Sequence, residues 1–390
     1  MSDPVVIVGS GLAGYNLARE LRKLNADVHL VVVSRDHAGF YSKPMLSNAL
    51  AGKKTAATLV MKSVDKMADE LKAQVLANTE VTAIDAASRT LTLSNGQSLV
   101  YRDLVLAPGA DQIRLPLQGN AADTVLSVND LADFARFAEA LDAGPAGGPV
   151  QRVTILGAGL IGCEFANDLL ARQITPTVLD VADRALSRLL PPEASARLQA
   201  KLEAGGACFK FGLGAQAVDK VDGALRVTLS DGSTLDTDLV LSAIGLTPRT
   251  GLAQQAGAAV GRGVKVNREL ATSVPHIYAM GDCAEVDGLV LPYVMPLMAQ
   301  ARALAATLNG SPTAVAYPAM PVTVKTPAWP TVVCPPPAGA TGSWQVTQDD
   351  ESLTALFVNP AQPDAPLGFG LQGKAVAQRQ ALASKLAPWL

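Results

Sequence analysis

The first apolar run of the chain, residues 5–8 (VVIV), is β-branched throughout and ends at three spaced glycines, Gly9, Gly11 and Gly14. Next, YNLARELRKL repeats its apolar residues at helical spacing, and a second apolar run, VHLVVV, follows. This predicts strand, glycine turn, helix, strand. The same grammar returns as VTIL, then Gly157, Gly159 and Gly162, then CEFANDLLARQ, then PTVLD ending at Asp180. Laid over one another, residues 5–21 and 153–169 agree at eight of seventeen positions, all three glycines included. One chain therefore carries two βαβ units.

Glycines alone mark any tight turn, but in a βαβ unit each has its own task. The first (Gly9, Gly157) makes the turn, the second (Gly11, Gly159) lets backbone approach a pyrophosphate, and the third (Gly14, Gly162) lets helix pack on strand. The helix N-terminus then offers unpaired N–H groups to the diphosphate. An acid about 20 residues on, for a ribose hydroxyl, is present in the second unit as Asp180. A carboxylate there repels a 2′-phosphate, so NAD(H) is expected over NADP(H). In the first unit Ser34 holds that place and Asp36 follows two residues later, so the ribose contact stays open. Two dinucleotides in one chain point to a flavin and a nicotinamide, FAD and NAD(H).

Composition narrows the field. With 390 residues, 49% of them hydrophobic, the chain can fill several domains, and a net charge of −3 gives no footprint for nucleic acid. No basic and apolar leader and no long apolar run is read, so a soluble, cytoplasmic protein without membrane insertion is expected. Cys163, Cys208, Cys283 and Cys334 have neither C-x-x-C nor zinc spacing, and with His29, His37 and His276 they build no metal set or hydrolytic triad.

Further stretches carry a resemblance. LVLAPGA (104–110), LVLSAIGLTPRT (239–250), TSVPHIYAMGDCAEV (272–286), FYSKPMLS and PVTVKTPAWP together resemble the two-dinucleotide-binding-domain flavoprotein reductases along the full length. By itself the Gly281–Asp282 pair ends an apolar strand in a turn, and Lys43 and Lys325 read as ordinary solvated lysines. The resemblance implies more: Asp282 on the flavin's ribityl chain, Lys43 and Lys325 beside the isoalloxazine ring favouring reduced flavin, and Glu164 at the flavin–nicotinamide junction pairing with Lys43. Lys43, Glu164 and Lys325 are thus the expected catalytic residues. Candidate cofactor positions are Gly9, Ser10, Gly11, Leu12, Ala13, Gly14, Ser34, Lys43, Val81, Gly109, Gly281, Asp282, Val294 and Lys325, with Gly157, Gly159, Leu160, Ile161, Gly162, Glu164 and Asp180 in the second unit. The family's thiol-dependent branches need cysteines early in the FAD domain, and none precedes Cys163. Electrons are expected to leave the flavin for an external carrier, implied to be rubredoxin or a similar small acidic iron–sulfur protein that feeds an alkane hydroxylase or an oxygen-detoxifying protein. A ferredoxin or flavorubredoxin reductase is the alternative, and an NADH-responsive redox-sensing binding protein is the non-enzyme alternative.

The expected fold is α/β, with two Rossmann-like domains and a small C-terminal α+β domain. FAD-binding residues 1–113 and 240–312 enclose an NAD-binding insert, 114–239, that contains the Gly/Pro loop DAGPAGGPVQR. Residues 313–390 form the C-terminal domain. It starts proline-rich, with disorder over 330–343 as the alternative, then has hairpin strands LTALFV and PLGFGLQG and a final helix from Ala375. Trp329 is expected to pack rather than react. Residues 43–67 hold five lysines against Asp65 alone, a local surplus of four charges and the expected docking surface for an acidic carrier.

Overall fold

Strand Val5–Val8 has no exposed residue, as befits a central strand of a parallel sheet covered on both faces. It pairs in parallel with Leu30–Val33 on one side and Asp103–Leu106 on the other. Gln74–Leu76 and, from far along the chain, Ile277–Ala279 complete a five-stranded parallel sheet. Helix Leu12–Leu24 buries Tyr15, Leu17, Ala18 and Leu21 and packs against helix Val294–Leu308. The computed structural model describes residues 3–144 and 148–390. Positions 145–147 of the Gly/Pro loop lie outside the described residues.

The second unit repeats the plan. Strands run in the order 208–211, 175–180, 152–156, 239–242, all parallel, with helix Leu160–Leu170 following the glycine loop. Strand Leu239–Ser242 straddles the expected boundary between 239 and 240. Each unit also owns a three-stranded antiparallel meander, Val81–Asp85 to Ser98–Val100 and Ala215–Val221 to Thr234–Thr237. A short antiparallel ribbon, Ala110–Gln112 against Leu246–Pro248, connects the units.

The C-terminal domain is a five-stranded antiparallel sheet in the order 322–324, 331–334, 362–373, 352–359, 343–348. The expected hairpin is the pair Ser352–Asn359 and Gln362–Gly373. Thr331–Cys334 is wholly buried between two partners, so disorder is ruled out for that part of 330–343. The helix expected from Ala375 begins as a 3₁₀ turn, Lys374–Gln378, and becomes α-helical only over Arg379–Ala383. One of the hydrophobic cores joins segment 46–59, the second unit and C-terminal residues Val324, Trp329, Val333, Leu353 and Ala355. Trp329 is buried under the side chains of Arg197 and Lys201, in the packing role expected of it.

Candidate functional site

The three glycines of each loop meet different surroundings. A Cβ on Gly14 or Gly162 would strike the carbonyl oxygen of Gly9 or Gly157, so the third glycine is demanded by helix-on-strand packing. Gly9 and Gly157 have φ of +119° and +102°, the left-handed region that favours glycine. Gly11 and Gly159 differ from both. Their φ values, −71° and −76°, suit any residue, and a Cβ on either would meet no atom of the described residues within 4 Å. Nothing among the described residues requires glycine there. Each is the N-cap of its helix and makes no side-chain cap, which leaves first-turn amides such as those of Leu12, Ala13, Leu160 and Ile161 without intrahelical acceptors. Open space beside orphan N–H groups is a cradle that a diphosphate fits.

At the ends of the second strands stand the acids. Asp180 accepts hydrogen bonds from Ala158 N at 2.6 Å and Ala182 N at 2.8 Å, so its carboxylate lies against the glycine loop. Arg184, the nearest downstream cation in the sequence, is held by Asp183 and the Ser187 carbonyl. In the first unit the Ser34 hydroxyl donates to Asp36 Oδ1 at 2.7 Å and lies 2.6 Å from the Ser10 hydroxyl. Asp36 thus folds back onto Ser34 and Ser10, which brings a carboxylate beside the first glycine loop. The Val81 side chain is buried in the first core.

The Gly281–Asp282 turn sits directly over the first loop. A Cβ on Gly281 (φ +77°) would come within 2.8 Å of the Ala13 Cβ, and the Gly281 amide donates to Gln300 Oε1 at 2.6 Å. Gln300 in turn donates to the Tyr317 hydroxyl at 2.7 Å, a buried brace with no advance signal in the sequence. Gly109, at φ +78°, faces open space, and Val294 is exposed at the start of its helix.

Glu164 corrects one expectation. Its carboxylate, almost wholly buried, pairs with the Lys325 ammonium, accepts the Lys325 amide at 3.0 Å and takes the Ser47 hydroxyl at 2.5 Å. Lys325, not Lys43, is therefore the lysine partner of Glu164. The reason is reach: the 43–48 segment presents Ser47 to the helix, while Lys43 at its far end lies 3.9 Å from Asp282. Burial pulls the Lys43 pKa below its usual value, with Asp282 opposing and Arg249 assisting. On the same helix face Asn167 accepts the Ala328 amide at 3.0 Å, and Asp168 accepts the Leu50 and Ala51 amides at 2.9 and 2.8 Å. Neither residue was anticipated. The signal, an amide and a second acid three and four positions after Glu164 in an apolar helix, was in the sequence. Cys163 and Cys283 are fully buried, and desolvation pushes both thiols up to about 12, which disfavours the reactive thiolate.

Family comparison agrees with this geometry. Residues 3–306 match the model described as pyridine nucleotide-disulphide oxidoreductase, and residues 314–386 match that of a rubredoxin binding C-terminal domain. The chain is 46% identical over 384 residues to a rubredoxin-NAD(+) reductase of Alcanivorax borkumensis, covering 98% of each chain. It is 38% identical to a nitric oxide reductase FlRd-NAD(+) reductase of Aeromonas salmonicida, covering 91% of this chain and 89% of that one. Among solved structures, that of a covalent putidaredoxin reductase–putidaredoxin complex superimposes with a TM-score of 0.87 at 28% identity, covering 98% of this chain and 93% of that one. Among the described residues no helix is long and apolar enough to cross a membrane.

Proposed function

The chain belongs to the pyridine nucleotide-disulphide oxidoreductase family, and from that premise we propose that it is an FAD-dependent reductase that takes hydride from NADH and delivers single electrons to rubredoxin. One observation carries the reading: two dinucleotide cradles precede a C-terminal domain that matches the rubredoxin-binding model. The relative from Alcanivorax borkumensis supports the choice of carrier.

In this proposal FAD occupies the first unit, held at Gly9, Gly11, Gly14, Gly109 and Asp282, and NADH lies across the second unit at Gly157, Gly159, Gly162 and Asp180. When bound, FAD supplies the conversion between a two-electron donor and a one-electron acceptor. The protein supplies placement and field. Glu164 fixes Lys325 from its backbone amide to its ammonium, and that pairing offsets the Lys325 charge locally. Lys43 keeps a less compensated charge, its ion-pair partner among the described residues being Asp282 at 3.9 Å, and is the stronger source of positive potential at the site. Asp180, already turned toward the second loop, selects the nicotinamide with a free 2′-hydroxyl. The buried thiols take no part.

Docking of an acidic carrier is assigned to the C-terminal domain together with the neighbouring basic segment. Lys62 is paired with Glu70 at 2.5 Å and contributes less than its formal charge, which leaves exposed Lys53, Lys54 and Lys66 as the basic rim. Four unpaired cysteines fit a reducing, cytoplasmic setting.

A flavorubredoxin-type acceptor is the second reading, favoured by the relative from Aeromonas salmonicida. Stopped-flow spectroscopy decides between them. The yellow protein is reduced with NADH and then mixed with rubredoxin, a flavorubredoxin or a ferredoxin. Reoxidation fastest with rubredoxin supports the proposal, fastest with flavorubredoxin supports the second reading, and no bleaching by NADH refutes both.

A further inference from the structure

Helix Leu160–Leu170 is buried along most of its length, yet Glu164, Asn167 and Asp168 are polar. Glu164 has its cation. Asp168, 1% exposed, has none within ion-pair distance among the described residues, and the nearby Arg172 is engaged with Asp142. A buried carboxylate without a cation is costly unless both oxygens are hydrogen bonded. Here both are, each by one backbone amide of the same short stretch, Leu50 and Ala51. That stretch follows the 3₁₀ segment Lys43–Asn48 after one residue, and Ser47 near the end of that segment is tied to Glu164, one helical turn before Asp168. The nicotinamide-unit helix thus grips the 43–51 segment at two points and leaves Lys43 at the free end, near Asp282 of the other unit. A helix needing only to pack would be served as well by apolar side chains.

We propose that Asp168 is a positioning residue for Lys43: by holding the Leu50 and Ala51 amides it sets where the Lys43 ammonium stands relative to the Asp282 turn. The consequence for the flavin rests on the reading of Lys43 given above, whereas the placement of Lys43 itself does not. Because the same helix begins at Gly159, the clamp also joins the expected NADH cradle to the segment that carries the flavin-edge lysine.

Two measurements on the full-length FAD-loaded protein test this, with D168A, K43M and the double variant beside the wild type. Acetylation of Lys43 by acetic anhydride, read by mass spectrometry against Lys53 as internal reference, is expected to rise several-fold in D168A, because the lysine gains freedom to reach solvent. The flavin midpoint potential is expected to fall in D168A, to fall further in K43M, and in the double variant to match K43M alone. An unchanged Lys43-to-Lys53 ratio in folded D168A overturns the proposal, as does an additive shift in the double variant. A raised ratio with an unshifted potential in K43M upholds the positioning role and removes the assignment of Lys43 to the flavin. Should D168A not fold, D168N, which keeps one acceptor oxygen, takes its place in both measurements.

Discussion

Alanine in place of Gly159 and of Gly162 should produce opposite failures only three residues apart. At Gly159 the backbone already has φ −76° and a Cβ meets no atom of the described residues within 4 Å. Alanine gains about 0.4–1 kcal/mol by restricting the unfolded chain and loses about 0.5–1 kcal/mol at an N-cap. The two nearly cancel, and the melting temperature should stay within about 3 °C of wild type. The methyl group would occupy the space where a pyrophosphate approaches. Loss of one charge-assisted hydrogen bond, about 1.5–3 kcal/mol, should raise the KM for NADH about 10- to 150-fold. At Gly162 the Cβ would sit 3.0 Å from the Gly157 carbonyl carbon and closer still to its oxygen. Rigid backbone must move, which puts the cost at about 3 kcal/mol and the fall in melting temperature at about 6 to 12 °C. The assays are thermal melts followed by the flavin signal and steady-state reduction of an artificial acceptor. Unchanged NADH kinetics in G159A, or a wild-type melt in G162A, would refute the division of labour between the glycines.

Replacing Asp180 with Ala should bring kcat/KM for NADH and NADPH to within about tenfold of each other, since it removes both the ribose acceptor and the repulsion of phosphate; an intact NADH preference would contradict this. K43M should lower the flavin midpoint potential by on the order of tens of mV, the scale of one unit charge acting at an effective dielectric of about 20, and K325M should lower it less. K325M should instead lose about 3 kcal/mol of stability by stranding the buried Glu164 carboxylate, so equal potentials and equal melts in the two variants would refute the distinction. Burial raises the Asp168 carboxyl from 3.8 to about 6, so its contribution is fully present below about pH 4 and is lost as pH rises through 6, about 3 kcal/mol in all. Melting curves from pH 4.5 to 7.5 should therefore fall more steeply in wild type than in D168N, and parallel curves would exclude the raised value. Neutralising Lys53 and Lys54 together should slow carrier reduction at low salt and flatten its salt dependence while flavin reduction by NADH is unchanged; an unaltered salt profile would move the docking rim elsewhere.

Local patterns in the sequence predicted what local geometry controls. Glycine spacing and β-branched runs located both βαβ units because turn conformation, cap and close packing are all decided within a few residues. Pairings across long separations were out of reach. The Glu164 side chain meets Ser47 across 117 positions and Lys325 across 161, and no periodicity reveals which of two lysines arrives. Family resemblance placed a lysine beside Glu164 but chose the wrong one. Asp36 was visible yet unassignable, since only a folded turn brings its carboxylate back to Ser34. The basic run of 43–67 looked stronger than it is because Lys62 shares an ion pair with Glu70, which lies beyond it in the chain.

The first sheet has a consequence for synthesis on the ribosome. Strand Asp103–Leu106 pairs with Ile277–Ala279, a partner that emerges about 170 residues later, or roughly 9 to 34 s at 5–20 residues per second. During that interval one edge of the nascent first sheet is open, and an open strand edge is a template for mispairing with other chains. The second sheet is built from a continuous stretch, residues 152–242, and can close while the first still waits. Translation therefore completes the inserted unit before the unit that encloses it, and the window for misassembly lies between the exit of residue 106 and that of residue 279.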